Sequence, residues 1–160
     1  MTVVSDTSPL NYLILIGCSE ILKALFGNIA VPATLLSKLQ SAHAPAEVRE
    51  WLVQKPDWIQ VHQLEIPKEY LPDLGLGERE AIYLSKQIGV DALLMDDAKA
   101  RSVAERYDIR VFGTLGILDA AALRGFVDLP AALKRLGHRT SVPSQRCLTR
   151  CSNVTAAERL

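Results

Sequence analysis

Several features of exported or membrane proteins are absent from this sequence. No apolar run is long enough to span a bilayer, and no basic stretch precedes the first apolar run as in a signal peptide. Three cysteines among 160 residues exclude an even disulfide framework, which favours a reducing compartment. The formal net charge is zero, so composition alone gives no argument for nucleic-acid binding. We therefore expect a cytoplasmic protein without membrane contact.

Familiar catalytic side-chain sets are also missing. The three histidines, His43, His62 and His138, have no metal-ligand spacing to one another or to cysteine, which favours surface or packing roles. Cys147 and Cys151 stand four residues apart, but two thiols without further partners make a weak metal site. No serine, cysteine or histidine is paired with a base, so any hydrolysis is expected to use water as its nucleophile.

The charge is distributed unevenly along the chain. Residues 1–130 contain 12 Lys and Arg against 17 Asp and Glu, whereas residues 131–160 contain 6 against 1. Helical and strand periodicity is lost beyond His138. We predict one domain over residues 1–138 and an irregular, basic tail over 139–160. Such a tail can contact RNA phosphates or an acidic partner, although a solvated tail is the simpler interpretation.

Short apolar runs alternate with helical patterns along the predicted domain. A helix is predicted after the first strand, with Ser8 as N-cap and Pro9 as its first residue. Further helices are predicted after each later strand, the last one ending near Gly137. This alternation with short links predicts an α/β fold with a mostly parallel central sheet and helices on both faces. The predicted strands are Thr2–Ser5, Ile29–Val31, Trp58–Val61, Ala92–Met95 and Ile109–Phe112.

Acidic residues follow two of these strands. Asp6 ends the first, and Asp96 and Asp97 end the fourth. Carboxyl ends of parallel strands meet at one edge of a sheet, where ligands bind. Carboxylates placed together there repel one another, and a hard divalent cation with oxygen ligands would compensate them. The structural alternative for each acid is to cap the helix that follows it.

A third element is a glycine-containing turn that leads into a helix. Gly75 and Gly77 allow a sharp turn, and Glu78 falls in the first helical turn. It is not a dinucleotide fingerprint, because the third glycine is absent and no strand leads into it.

Five segments together resemble the PIN-domain family of metal-dependent ribonucleases, most closely the short prokaryotic members that look like VapC toxins. They extend in order over roughly residues 2–137. The segments are Asp6-Thr7-Ser8-Pro9-Leu10, Val31-Pro32, Gly75-x-Gly77-Glu78-x-x-Ala81-Ile82, Asp96-Asp97-x-x-Ala100-Arg101 and Gly113-Thr114-Leu115-Gly116-Ile117-Leu118.

The resemblance implies a three-layer α/β/α sandwich that binds Mg²⁺ or Mn²⁺ and cleaves single-stranded RNA. It also implies a small antitoxin protein as partner, and a homodimer is a further candidate assembly. By position, Asp6, Glu78 and Asp97 would be catalytic, and these three would hold the metal with Asp96 beside them. Two hydroxyls, those of Ser8 and Thr114, would orient water or substrate.

Two arginines stand beside the proposed site acids. Arg79 and Arg101 are candidates to contact a scissile phosphate. The alternative is ion pairing with Glu80 or Asp97.

One position departs from the family pattern. Lys38 stands about where the helix after Val31-Pro32 usually carries a site glutamate. A lysine there removes a ligand and competes with the metal if it faces the acids, whereas it has no such effect if it faces solvent. The first alternative function is therefore a catalytically degenerate PIN-like binding protein. The second is a phosphatase of the haloacid-dehalogenase type, which would require an aspartate where this chain has Ser8.

Overall fold

Five short parallel strands form the centre of the computed structural model, which describes residues 1–139. The strands are β1 (Val3–Ser5), β2 (Ile29–Pro32), β3 (Ile59–His62), β4 (Ala92–Leu94) and β5 (Val111–Phe112). Their order in the sheet is β3-β2-β1-β4-β5, and every pairing is parallel. The chain thus builds outwards from β1 on one side and then crosses to the other. The resulting switch point lies between β1 and β4, and ligands of open α/β sheets bind at the carboxyl ends of strands at such points.

Eight helices accompany these strands within residues 1–139 and cover both faces of the sheet. Successive strand residues point to opposite faces, so Val3 and Leu94 join one core cluster while Val4 and Leu93 join the other. One layer contains α1 (Thr7–Leu15), α2 (Glu20–Phe26), α3 (Ala33–Gln40), α4 (Ala46–Val53), α7 (Thr114–Leu123) and α8 (Leu129–Arg139), and the other contains α5 (Leu76–Ile88) and α6 (Ala98–Glu105). This arrangement is the predicted three-layer α/β/α fold.

The first helix begins two residues earlier than predicted. Its N-cap is Asp6 rather than Ser8, which places Pro9 in the third helical position. The reason lies in the sheet, because the backbone N–H of Asp6 still donates to the carbonyl oxygen of Leu94, at 2.9 Å. The hydrogen bonding of this segment to β4 therefore ends at Asp6, and α1 begins at the next residue.

The last helix extends slightly past its predicted end near Gly137. It continues to Arg139, whose guanidinium forms an ion pair with Glu47 of α4 at 3.1 Å. The rest of the predicted tail, including Cys147 and Cys151, lies outside the described residues. Within residues 1–139, no helix is long and apolar enough to cross a membrane.

Candidate functional site

The buried carboxylate of Asp6 lies at the switch point of the sheet. Asp6 is 4% exposed, directly after β1 and hydrogen-bonded through its backbone to β4. The N-terminus of α5 closes over it, and a Cβ on Gly77 would lie 3.3 Å from Oδ1 of Asp6. A glycine at this position therefore lets the helix approach the carboxylate closely.

The surroundings of Asp6 raise its pKa from 3.8 to about 6. Burial is the largest cause, because it disfavours the charged carboxylate. The negative charges of Glu78 and Asp96 raise the pKa further, whereas the backbone N–H of Thr7 and the positive charge of Lys38 lower it. The structure therefore places two of the predicted metal-site acids, Glu78 and Asp96, within electrostatic reach of a third, Asp6.

Asp6, Glu78 and Asp96 together mark an acidic crevice at the carboxyl ends of the strands. The start of α7 holds Asp96 in this crevice. Its Oδ1 accepts a hydrogen bond from the backbone N–H of Thr114 at 2.7 Å, and its Oδ2 accepts one from the Thr114 hydroxyl at 2.6 Å. Gly113 leaves room for this contact, since a Cβ there would lie 3.0 Å from Oδ1 of Asp96. Thr114, predicted to orient water or substrate, thus fixes the direction of an acid.

The neighbouring Asp97 has a different environment. It is exposed, and its Oδ1 accepts a hydrogen bond from the backbone N–H of Ala100 at 2.8 Å, which makes it the N-cap of α6. Asp96, and not Asp97, is among the groups that shift the pKa of Asp6. The assignment of Asp97 as catalytic stays a prediction, and the geometry favours Asp96 for that role.

Two further predicted residues lie in the first turns of helices beside Asp6. Glu78 is half-buried, and its carboxylate occupies the space that a Cβ on Gly75 would fill. This is the position from which a glutamate can contact its own N-cap residue, so Glu78 has a structural as well as a chemical role available. Ser8 is half-buried in the first turn of α1.

Lys38 is exposed, and it lies close enough to the acids for its charge to act on Asp6. It lies on α3 one turn after Thr34, and residues four apart share a helix face. The Thr34 hydroxyl donates to the carboxylate of Glu80, so this face of α3 borders α5. The charge of Lys38 accordingly lowers the pKa of Asp6.

The two candidate phosphate-binding arginines differ in position. Nη1 of Arg101 and Oδ1 of Asp96 lie within 3.3 Å and 3.0 Å of the place that a Cβ on Gly113 would take. Arg79 instead donates to the backbone carbonyl oxygens of Tyr70, Pro67 and Lys68 at 2.8, 3.3 and 3.0 Å. Arg79 therefore stabilises the loop before α5, and the geometry favours Arg101 as the phosphate contact.

A family model described as PIN domain matches residues 2–150 of the sequence. The chain belongs to the PIN-domain family. Its fold is also similar to that of a PilT N-terminus domain protein from the hyperthermophilic archaeon Sulfolobus solfataricus P2, with a TM-score of 0.55 and 15% identity over 76% of this chain and 93% of that chain. At this identity the similarity supports the fold alone. No curated protein matches the sequence.

PIN domains are generally metal-dependent nucleases, so the fit of this site to a divalent ion is a direct question. Within residues 1–139, no three His, Cys, Asp or Glu side chains are gathered as a metal-binding group. The donor chemistry nevertheless fits, because carboxylate oxygens suit Mg²⁺ and Mn²⁺, and Mg²⁺ needs only one or two of them. The hydroxyl of Thr7, next to Asp6, is buried without a hydrogen-bond partner among the described residues. A bound ion with its waters would satisfy it.

One buried acid of this PIN domain was not singled out from the sequence. Glu80 is 4% exposed on α5, three residues after Gly77, and it is not among the groups that shift the pKa of Asp6. A usable signal was present, because Glu80 interrupts an otherwise apolar helical face that continues with Ala81 and Leu84. An acid on a buried helix face needs a partner, and Thr34 provides one here.

Proposed function

We propose that this PIN domain is a metal-dependent endoribonuclease that cleaves single-stranded RNA. One observation carries the proposal: Asp6 is 4% exposed at the switch point of the sheet, where burial, and then the nearby charges of Glu78 and Asp96, raise its pKa to about 6. A buried carboxylate with two acidic neighbours is unfavourable without a compensating cation. A divalent ion at this point would relieve that cost.

The residues of this chain have distinct parts in such a reaction. Asp6, with Glu78 or Asp96 beside it, would hold the ion, which when bound lowers the pKa of water and offsets charge that develops on the phosphate. Thr114 keeps both oxygens of Asp96 oriented, so the acid loses little freedom on binding. Arg101, beside Asp96, is placed to contact a phosphate oxygen.

RNA as substrate and a toxin role rest on the resemblance of the site motifs to those of VapC-like proteins. The partner would then be a small antitoxin protein, and the site of action the cytoplasm. A homodimer is compatible with the same proposal. Growth arrest on expression, relieved by co-expression of a small gene immediately upstream, would support the toxin role.

A second candidate function is a non-cleaving PIN-like binding protein. The observation that favours it is the positive charge of Lys38, which lowers the pKa of Asp6 and so offsets part of the negative charge that a metal would neutralise. Membership of the PIN-domain family leaves the haloacid-dehalogenase alternative without support.

The deciding experiment is a cleavage assay on labelled single-stranded RNA. Cleavage is expected with Mg²⁺ or Mn²⁺, and it should stop with chelator and in Asp6→Asn. Single-stranded DNA of the same sequence and a phosphate monoester serve as substrate controls. Folded wild-type protein that binds RNA but never cuts it, at any metal concentration, would favour the binding protein instead.

A further inference from the structure

We infer that Lys38 and Arg101 form a two-sided phosphate clamp, with the RNA backbone crossing the acidic crevice from α3 to the start of α6. The inference rests on the proposed function. It adds the residues that hold the RNA and the path of the RNA across the crevice. We use the name phosphate clamp for these two side chains.

The strand order places the two cations on opposite sides of Asp6. β2 and β4 are the two neighbours of β1, on its left and right. Lys38 lies on α3, which follows β2 directly, and Arg101 lies on α6, which follows β4. Their positions therefore flank Asp6 from the two sides of the switch point.

Local contacts place both residues beside the crevice. On one side, Thr34, one turn before Lys38 on α3, donates to Glu80 of α5, so this face of α3 borders α5, and Lys38 is exposed there. On the other, the guanidinium of Arg101 lies next to Gly113, beside the carboxylate of Asp96. Neither cation forms an ion pair within 4.0 Å among residues 1–139, where Arg139 and Glu47 do. Both charges are therefore left available to an anion.

The charge pattern suits a chain of phosphates better than a single one. The centre of the crevice is acidic, through Asp6, Asp96 and Glu78, so an approaching phosphodiester is repelled there unless cations lie close by. A lysine binds phosphate as a point charge, and an arginine binds it through a planar fork of donors. With one on each side, the phosphates before and after the scissile one are held while the scissile phosphate lies over the acids.

The clamp gives Lys38 opposite effects on two ligands. Its charge competes with a metal ion for Asp6, so its removal should strengthen metal binding. The same charge attracts RNA, so its removal should weaken RNA binding. If Lys38 only replaces a lost metal ligand, its removal should change metal affinity and leave RNA affinity unchanged.

The test measures RNA binding without cleavage. A labelled single-stranded RNA is titrated by fluorescence anisotropy in chelator over a salt series, with wild type, Lys38→Met, Arg101→Met and the double variant. Each single variant should bind about fivefold more weakly at about 0.1 M salt, and its salt slope should fall by about 0.7, the contribution of one phosphate contact on a single strand. The double variant should lose both contributions.

Lys23→Met is the matched control. Lys23 is an exposed lysine in the last turn of α2, which leads into the start of β2 at the opposite edge of the sheet. This variant should keep wild-type RNA affinity and salt slope. Circular dichroism and melting temperature report whether each variant is folded, and Lys38→Gln replaces Lys38→Met if that variant unfolds.

The outcomes separate the clamp from the nuclease. If wild type cuts RNA but Lys38→Met binds it with unchanged affinity and slope, the clamp is wrong and the proposed function stands. If wild type binds RNA through Lys38 and Arg101 but never cuts it, the clamp stands and the nuclease is wrong. Absence of RNA binding by wild type at low salt overturns the clamp outright.

Discussion

Gly77 leaves the space beside Asp6 open between α5 and the sheet: a Cβ added to Gly77 would lie 3.3 Å from Oδ1 of Asp6. Such a distance is tighter than most Cβ contacts, so either the helix or the carboxylate must shift by a few tenths of an ångström. Gly77 lies inside the first turn of α5, where its backbone does not need a glycine conformation. The absence of a side chain at Gly77 is therefore needed for the close approach to Asp6 and not for the helix conformation.

Gly77→Ala should separate stability from metal binding. Alanine is a better helix former than glycine by about 0.8–1.0 kcal/mol, so the melting temperature in chelator should stay equal or rise. Calorimetric Mn²⁺ titration should show weaker binding, because Asp6 is displaced. The matched control is Gly89→Asn, at the left-handed C-cap of α5, which should leave metal affinity unchanged. Unchanged metal affinity in Gly77→Ala would show that the close approach has no role in the site.

The raised pKa of Asp6 makes stability depend on pH in a defined direction. Its folded pKa is about 6 against an ordinary 3.8, so the folded state binds the proton more tightly than the unfolded chain. In chelator, the contribution of Asp6 should destabilise the fold fully above pH 6 and fade as the pH falls towards 3.8. The full difference corresponds to about 3 kcal/mol.

Asp6→Asn removes that titration and tests its sign. In chelator at pH 8 the variant should unfold at a higher urea concentration than wild type, and the gap should close as the pH approaches 4. Added Mn²⁺ should stabilise only the wild type, since a ligand that binds the native state raises stability by mass action. A variant less stable than wild type at pH 8 would mean that the Asp6 charge is already compensated without metal.

The adjacent acids Asp96 and Asp97 should respond differently to substitution. Asp96→Asn should weaken Mn²⁺ binding, because it removes a charge beside Asp6 while the amide can keep a contact to Thr114. Asp97→Ala removes the N-cap of α6 and should cost about 1 kcal/mol of stability with little effect on metal affinity. Calorimetry and urea unfolding of both proteins decide the matter. A reversed result would favour Asp97 over Asp96 as the metal-site acid.

Thr7→Val tests the buried hydroxyl next to Asp6. In chelator, valine keeps the shape and removes a polar atom that has no hydrogen-bond partner in residues 1–139, so stability should not fall. With metal present, the hydroxyl is expected to bond to the ligand or its waters, and its loss should weaken Mn²⁺ binding. Ser8→Ala is titrated in parallel, because the Ser8 hydroxyl, at the next residue, is itself a candidate to orient water or substrate. Equal metal affinity for Thr7→Val and wild type would mean that the hydroxyl contacts no ligand.

Much of this site could be predicted from the sequence because its parts stand at strand ends. An apolar run that ends in acid fixes both a strand and the edge where its carboxylate lies, which explains why Asp6 and Asp96 were found together. The separate roles of Asp96 and Asp97 could not be predicted, because nothing in the two adjacent residues indicates which carboxylate turns to the crevice and which caps α6. That choice depends on Thr114, 18 residues beyond Asp96.

Side-chain direction on helices was similarly undetermined. The buried positions Leu35 and Leu39 leave Lys38 at the margin of the apolar face of α3, compatible with crevice or solvent. In the structure Lys38 is exposed, and its charge nevertheless lowers the pKa of Asp6. The contact of the same helix with α5, from Thr34 to Glu80, joins residues 46 apart, which no local pattern contains.

Lys38→Glu is the sharpest test of what that lysine does. The glutamate removes a charge that competes with the metal and adds an oxygen ligand, so Mn²⁺ should bind more tightly than to wild type. At limiting metal, RNA cleavage should therefore rise. At saturating metal and low RNA concentration, cleavage should fall, because half of the phosphate clamp has changed sign and repels the strand.

If Lys38 acts only as a competitor of the metal, cleavage should not fall at saturating metal and low RNA concentration. If Lys38 is an inert surface residue, metal affinity and cleavage should both match wild type. Cleavage rates measured at limiting and at saturating metal distinguish these three cases, with Lys23→Glu as the charge-matched control. Only a cleavage rate that rises at limiting metal and falls at saturating metal agrees with a lysine that holds substrate across an acidic site.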